Sequence, residues 1–143
     1  MKLQEQRVKK NTALFHMRKK LILLVDDDMD FLSVNRWLLE HKGYAVVTAG
    51  NGDECRACLE THRPDLIILD MMMTREDEGF DLSKDLRNSE HTRHIPIMMI
   101  SAVNEYSHFT YKPDATWLPV DAFLEKPVDP RRLLQEVSHI LTH

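Results

Sequence analysis

The chain has 143 residues, of which 43% are apolar and 29% charged, with a formal net charge of −4. That length suits one domain with an ordinary core, the composition argues against disorder, and no apolar run nears the roughly 20 residues that span a bilayer. The charge is unevenly placed: residues 1–20 carry +6 and the rest −10, so the body is a poor surface for nucleic acid and a better site for a cation.

Residues 1–19 read as a basic tail, expected to be flexible, because Leu3, Val8, Leu14, Phe15 and Met17 form no single helical face. No apolar h-region follows its basic residues, so it is not a signal peptide, and two cysteines are too few for a disulfide framework; a cytoplasmic location is expected. Leu21–Val25 is five large apolar residues without alternation, as in a strand buried on both faces of a parallel sheet, and it runs into Asp26-Asp27-Asp28. A helix follows from about Asp30 to His41, with Phe31, Val34, Leu38 and His41 at spacings of three and four and Gly43 to stop it. Tyr44–Ala49 is a short strand, Asn51-Gly52 turns the chain into a helix over Asp53–His62, and Arg63-Pro64 ends that helix. Cys55 and Cys58 share a spacing with redox and zinc pairs. No second ligand pair accompanies them, so they are expected to be small core residues.

Leu66–Asp70 holds four consecutive large apolar residues, as in another strand buried on both faces, and it ends in a carboxylate. Met71–Gly79 is a loop closed by glycine, and Phe80–Asn88 a helix carrying Phe80, Leu82 and Leu86. His91 and His94 read as solvated loop histidines. Ile95–Ile100 is the fourth strand and delivers Ser101. The stretch Asn104–Val120 is rich in aromatics, and Lys112-Pro113 limits any helix there to a turn or two. Ala122–Glu125 is the fifth strand and delivers Lys126-Pro127. Asp129-Pro130 opens a last helix with Leu133, Leu134, Val137, Ile140 and Leu141 as its apolar stripe. This alternation predicts an α/β fold: a doubly wound five-stranded parallel sheet with right-handed crossovers and a short or irregular fourth helix.

Ligands of open α/β sheets bind beyond the carboxyl ends of the strands. There the chain gathers Asp26, Asp27, Asp70, Ser101 and Lys126. Clustered carboxylates repel unless cations offset them. Mg²⁺ is a hard ion suited to such oxygens, and the Lys126 ammonium suits a phosphate oxygen. An aspartate so placed can accept a phosphoryl group as an aspartyl phosphate.

Residues 20–142 resemble the receiver domain of two-component response regulators, the flavodoxin-like fold of single-domain chemotaxis-type regulators. The resemblance rests on Leu23-Leu24-Val25-Asp26-Asp27-Asp28, Leu69-Asp70-Met71-Met72-Met73, Ile100-Ser101-Ala102 and Phe123-Leu124-Glu125-Lys126-Pro127. It implies a receiver domain over 20–143 in which Asp70 takes phosphate from a sensor histidine kinase or a phosphotransfer protein. It implies Mg²⁺ held by Asp26, Asp27, Asp70 and the Met72 backbone carbonyl, and Lys126 on a phosphoryl oxygen. Ser101 and Phe123 become the switch pair, and the peptide before Pro127 is expected to be cis. Three features depart from the family pattern: Thr74 replaces a proline, Gly79 comes one residue late, and Asn104–Val120 is long and lacks a Gly-Ala pair.

The chain ends at His143, after the last helix, so the expectation is a stand-alone regulator with no attached DNA-binding domain. Such a protein signals through an unnamed downstream protein or a phosphorelay, and is no enzyme beyond taking phosphate from small donors and shedding it. Two alternatives stand beside this one. A Mg²⁺-dependent phosphatase with an Asp nucleophile needs Asp-x-Asp-x-Thr, and Asp70–Thr74 lacks the second acid. A receiver-like scaffold that is never phosphorylated has no need of acids so costly to hold together.

Overall fold

Long branched side chains without polar alternation build the centre of the sheet. The computed structural model describes residues 18–71, 73, 78–102 and 120–142. The strands are β1 (Leu21–Val25), β2 (Ala45–Ala49), β3 (Leu66–Asp70), β4 (Ile97–Ala102) and β5 (Ala122–Lys126). The described helices are α1 (Met29–His41), α2 (Gly52–Thr61), α3 (Glu78–Asn88) and α4 (Pro130–Thr142). All strand pairs are parallel, in the order β2-β1-β3-β4-β5. Parallel strands need crossovers, and the helices that make them cover both faces. Every residue of β3 is buried, as its unbroken apolar run requires.

Two cores result, one on each face. Leu23, Val25, Ile67, Leu69 and Met99 point toward Cys55 of α2 and Leu82 and Leu86 of α3. Their neighbours Ile22, Leu24, Ile68, Ile100 and Leu124 point toward Leu32 and Leu39 of α1 and Leu133 and Val137 of α4. This is the two-residue alternation of a strand, read across a whole sheet.

The helix after β1 requires a correction. Its buried residues are Leu32, Asn35 and Leu39; Phe31 and Leu38 flank that face. Val34 and His41, expected inside, are exposed, as is Trp37, expected to flank the stripe. Apolar residues occupy most of this helix's circumference, so spacing alone fits two stripes. The turn that enters the helix chooses between them. Asp28 is the N-cap, its side chain accepting from the N–H groups of Asp30 and Phe31, and this fixes the rotation of α1. Asn35 is tolerated on the inner face because its Nδ2 donates to Phe31 O at 2.8 Å.

Cys55 is buried and Cys58 partly so, as expected of core residues. The Lys126–Pro127 peptide is cis. Among the described residues, no helix is long and apolar enough to cross a membrane. Residues 1–17 of the expected tail, the Met72 carbonyl, and the segment 103–119 with its expected short fourth helix lie outside the described residues.

Candidate functional site

The order of the strands reverses direction at β1: the chain steps outward to β2, then back across to β3. The crevice beyond the carboxyl ends of β1 and β3 is therefore the topological switch point, where loops diverge to opposite faces. Two acids occupy it. Asp70 is the last residue of β3, and Asp26 follows β1 directly, its N–H donating to Ala49 O at 3.0 Å. Because Val25 pairs with Leu69, the two acids stand level across the sheet. Each also continues the alternation that sends Leu24 and Ile68 toward α1 and α4.

Carboxylate oxygens of Asp26, Asp27 and Asp70 all lie within 4.8 Å of one another. Asp26 and Asp70 are buried, at 0% and 4% exposure, while Asp27 faces solvent. Such a group is held together by an offsetting charge. Lys126, two residues past the level of Asp70 on β5, places Nζ 2.7 Å from Asp26 Oδ2 and 3.5 Å from Asp70 Oδ2. Burial pulls the pKa of this ammonium down, but the hydrogen bond to Asp26 and the charges of Asp70 and Asp26 together outweigh that, and it lies above the ordinary lysine value.

Three carboxylates against one ammonium leave two negative charges over. A divalent cation balances that surplus, and an all-oxygen donor set is what a hard ion such as Mg²⁺ takes. The described residues thus fit the ion that the motifs imply, with Asp26, Asp27 and Asp70 as candidate ligands.

The other sequence-derived residues separate by face. Ser101 and Phe123 share the alternation of Met99, toward α2 and α3, opposite to Lys126. Ser101 is buried, and its Oγ donates to Ala102 O at 3.3 Å. The sheet therefore puts the acids and the ammonium on one side of the strand ends, and the hydroxyl and aromatic on the other.

Two residues matter more here than their sequence signals suggest. The Gly79 N–H donates to Met71 O at 2.9 Å, and a Cβ on Gly79 would stand 1.9 Å from Asp70 O. Only glycine permits α3 to start so close to the end of β3. A loop-closing glycine was legible in the sequence; the backbone it touches was not. Phe31 is the second, and the Lys126 ammonium lies over its ring. The signal for it was present but unused: the third residue of a capped helix leans back toward the preceding strand end.

Residues 22–138 match the family model of the response regulator receiver domain. Among characterised proteins, the chain is 37% identical over 125 residues to the alkaline phosphatase synthesis transcriptional regulatory protein PhoP of Bacillus subtilis, a match covering 87% of this chain and 49% of that one. It is 28% identical over 125 residues to the polar-differentiation response regulator DivK of Brucella anthropi, covering 85% of this chain and 96% of that one. The chain thus spans about half the length of transcriptional regulators such as PhoP, and nearly all of a short regulator such as DivK. Among solved structures it is similar to a response regulator receiver protein of Pseudomonas putida, with a TM-score of 0.73 and 30% identity, covering 85% of this chain and 98% of that one. A chemotaxis response regulator of Vibrio cholerae also gives a TM-score of 0.73, at 26% identity, covering 87% of this chain and 100% of that one.

Proposed function

The chain belongs to the response regulator receiver family, and from that premise we propose that it is a phosphorylation switch whose acceptor is the Asp70 carboxylate. The observation that carries this reading is the placement of Asp70. It is buried at the switch point of the sheet, within reach of two further acids and 3.5 Å from an ammonium. A carboxylate held there is an oxygen nucleophile whose product charge has partners already in position.

A histidine kinase or phosphotransfer protein supplies the phosphoryl group. An Asp70 oxygen forms the new O–P bond as the P–N bond of the donor's phosphohistidine breaks, and the leaving imidazole takes a proton from water. The residues positioned to hold Mg²⁺ are Asp26, Asp27 and Asp70, with the Met72 carbonyl added by the family pattern. When bound, the ion supplies positive charge against both the acids and the phosphoryl oxygens. Lys126 donates to a phosphoryl oxygen. Ser101 and Phe123, on the opposite face of the strand ends, carry the event toward the β4–β5 surface, where a change of charge biases a two-state element. The output is binding of a downstream protein or onward relay of the phosphate.

Incubation with Mg²⁺ and acetyl phosphate is expected to add one phosphoryl group, seen by intact mass, and Asp70→Asn is expected to take none. Labelling of Asp70→Asn as fast as wild type would overturn the assignment.

A further inference from the structure

Lys126 has a third neighbour besides the two carboxylates. Its Nζ stands 4.4 Å from the centroid of the Phe31 ring, inside the roughly 6 Å over which the face of an aromatic ring attracts a cation. Phe31 is half-buried and packs against the core formed with α1 and α4, so the ring has a fixed place. A closed circuit holds it there. The Phe31 N–H donates to Asp28 Oδ1 at 3.2 Å, the Asp28 N–H donates to Asp26 Oδ1 at 2.9 Å, and Asp26 Oδ2 receives Lys126 Nζ at 2.7 Å. The acid beside the acceptor and the ring under the ammonium are thus parts of one local structure.

We propose that Phe31 is a positioning residue for phosphoryl transfer, its ring holding the Lys126 ammonium beside Asp70 by a cation–π contact. The proposal rests on the receiver reading of the site. Its physical basis is competition for Asp26. A carboxylate that serves a divalent cation has less to offer an ammonium, whereas an aromatic face has no affinity for a hard metal ion. The ring is the partner that Lys126 keeps whatever Asp26 binds. It leaves the N–H groups of the ammonium directed at oxygens, because the ring attracts the charge without taking a strong hydrogen bond.

The test uses the full chain as wild type, Phe31→Leu and Phe31→Tyr, each with and without Lys126→Ala. The first measurement involves no chemistry. By nuclear magnetic resonance, the ε-methylene protons of Lys126 are expected to be shifted upfield by the ring in wild type and Phe31→Tyr, and to return to ordinary lysine positions in Phe31→Leu. The second is the rate of phosphorylation by acetyl phosphate with Mg²⁺. Phe31→Leu is expected to be about fivefold slower, the order of a partly exposed cation–π contact, with Phe31→Tyr restoring the rate. Added to Lys126→Ala, Phe31→Leu is expected to cost nothing more. Unshifted methylene protons in wild type, or an equal loss from Phe31→Leu with and without Lys126, overturn the proposal. A wild type that takes up no phosphoryl group overturns the phosphorylation-switch reading and this role with it. A labelled wild type with an indifferent Phe31→Leu overturns this role alone. If Phe31→Leu does not fold, Phe31→Met serves the same comparison, and the wild-type methylene shift decides the contact without any variant.

Discussion

Burial disfavours the charged form of both Cys55 and Lys126, yet the two end in opposite states. For Cys55, burial is the largest influence, the neighbouring Cys58 adds to it, and Arg56 opposes only in part, so the thiol is pushed up to about 12. A thiol so held has almost no thiolate at neutral pH and is inert, because the thiolate is the nucleophile. A disulfide-exchange reagent is therefore expected to label only the half-buried Cys58 in the native chain, and both cysteines after denaturation. Labelling of native Cys55 at the rate of a free thiol would show that its burial is wrong. For Lys126, burial works against the ammonium, but two carboxylates at 2.7 and 3.5 Å override it. The difference is the partner. A buried thiol among apolar side chains is kept neutral, and a buried ammonium between acids is kept charged.

At the scale of elements, the joints between strands and helices are fixed by specific backbone and side-chain contacts. α3 is tied to the end of β3 by the Gly79 N–H bond to Met71 O, and to the start of β5 through Arg87, which pairs with Asp121 and donates to the carbonyls of Arg93 and Ile95. Asp121 also accepts the Ile97 N–H at 2.8 Å, so one carboxylate joins α3, β4 and β5. The joint at Gly79 is the closest approach among the described glycines. In Gly79→Ala the new methyl group would meet Asp70 O at 1.9 Å, and that atom is backbone, which cannot swing aside. The expected loss is about 3 kcal/mol in urea unfolding, the upper range for forced overpacking. Phosphorylation by acetyl phosphate is expected to slow in the same variant, since the clash falls on the proposed acceptor residue. A stability within about 0.5 kcal/mol of wild type would mean that the turn has room the structure does not show.

For the whole molecule, the acid cluster and the buried ionisable groups predict a stability that responds to a divalent ion and to alkaline pH. A ligand that binds only the folded chain stabilises it by mass action. Mg²⁺ is expected to raise the melting temperature of wild type, and to do so much less in Asp27→Ala, which removes an exposed acid from the cluster without opening the core. An equal rise in both would remove Asp27 from the ligand set. Toward high pH, two groups act in the same direction. The unfolded Cys55 thiol ionises near its ordinary 9.0, whereas the folded one holds its proton to about 12. Between those values the unfolded chain binds fewer protons, so stability falls by about 1.4 kcal/mol per pH unit once the unfolded thiol is mostly ionised. The folded Lys126 pKa is raised above 10.5, so its contribution is complete below 10.5 and is lost as pH climbs through the folded value. Urea titrations are expected to show no effect of either group near neutral pH. Cys55→Ala is expected to flatten the fall that begins near 9.0, and an unchanged slope in that variant would assign the fall to other groups.

The sequence by itself determined the sheet and the contents of its functional edge. Unbroken apolar runs such as Leu66–Leu69 have one stable place, between two layers of helices, and the polar residue that ends each run must emerge at the same rim. Asp26, Asp70 and Lys126 were legible for that reason. The tertiary structure decided three things that spacing could not. It rotated α1 so that Leu32 and Leu39, not Val34 and His41, face the core, because Asp28 caps the helix in one phase. It divided the edge between two faces, with the charged groups toward α1 and α4 and with Ser101 and Phe123 toward α2 and α3, because side-chain direction depends on the register of paired strands. It brought Lys126 over the Phe31 ring and Gly79 against Asp70. These contacts join positions 95 and 9 residues apart, and their distances follow from how packed layers meet, which no local pattern encodes.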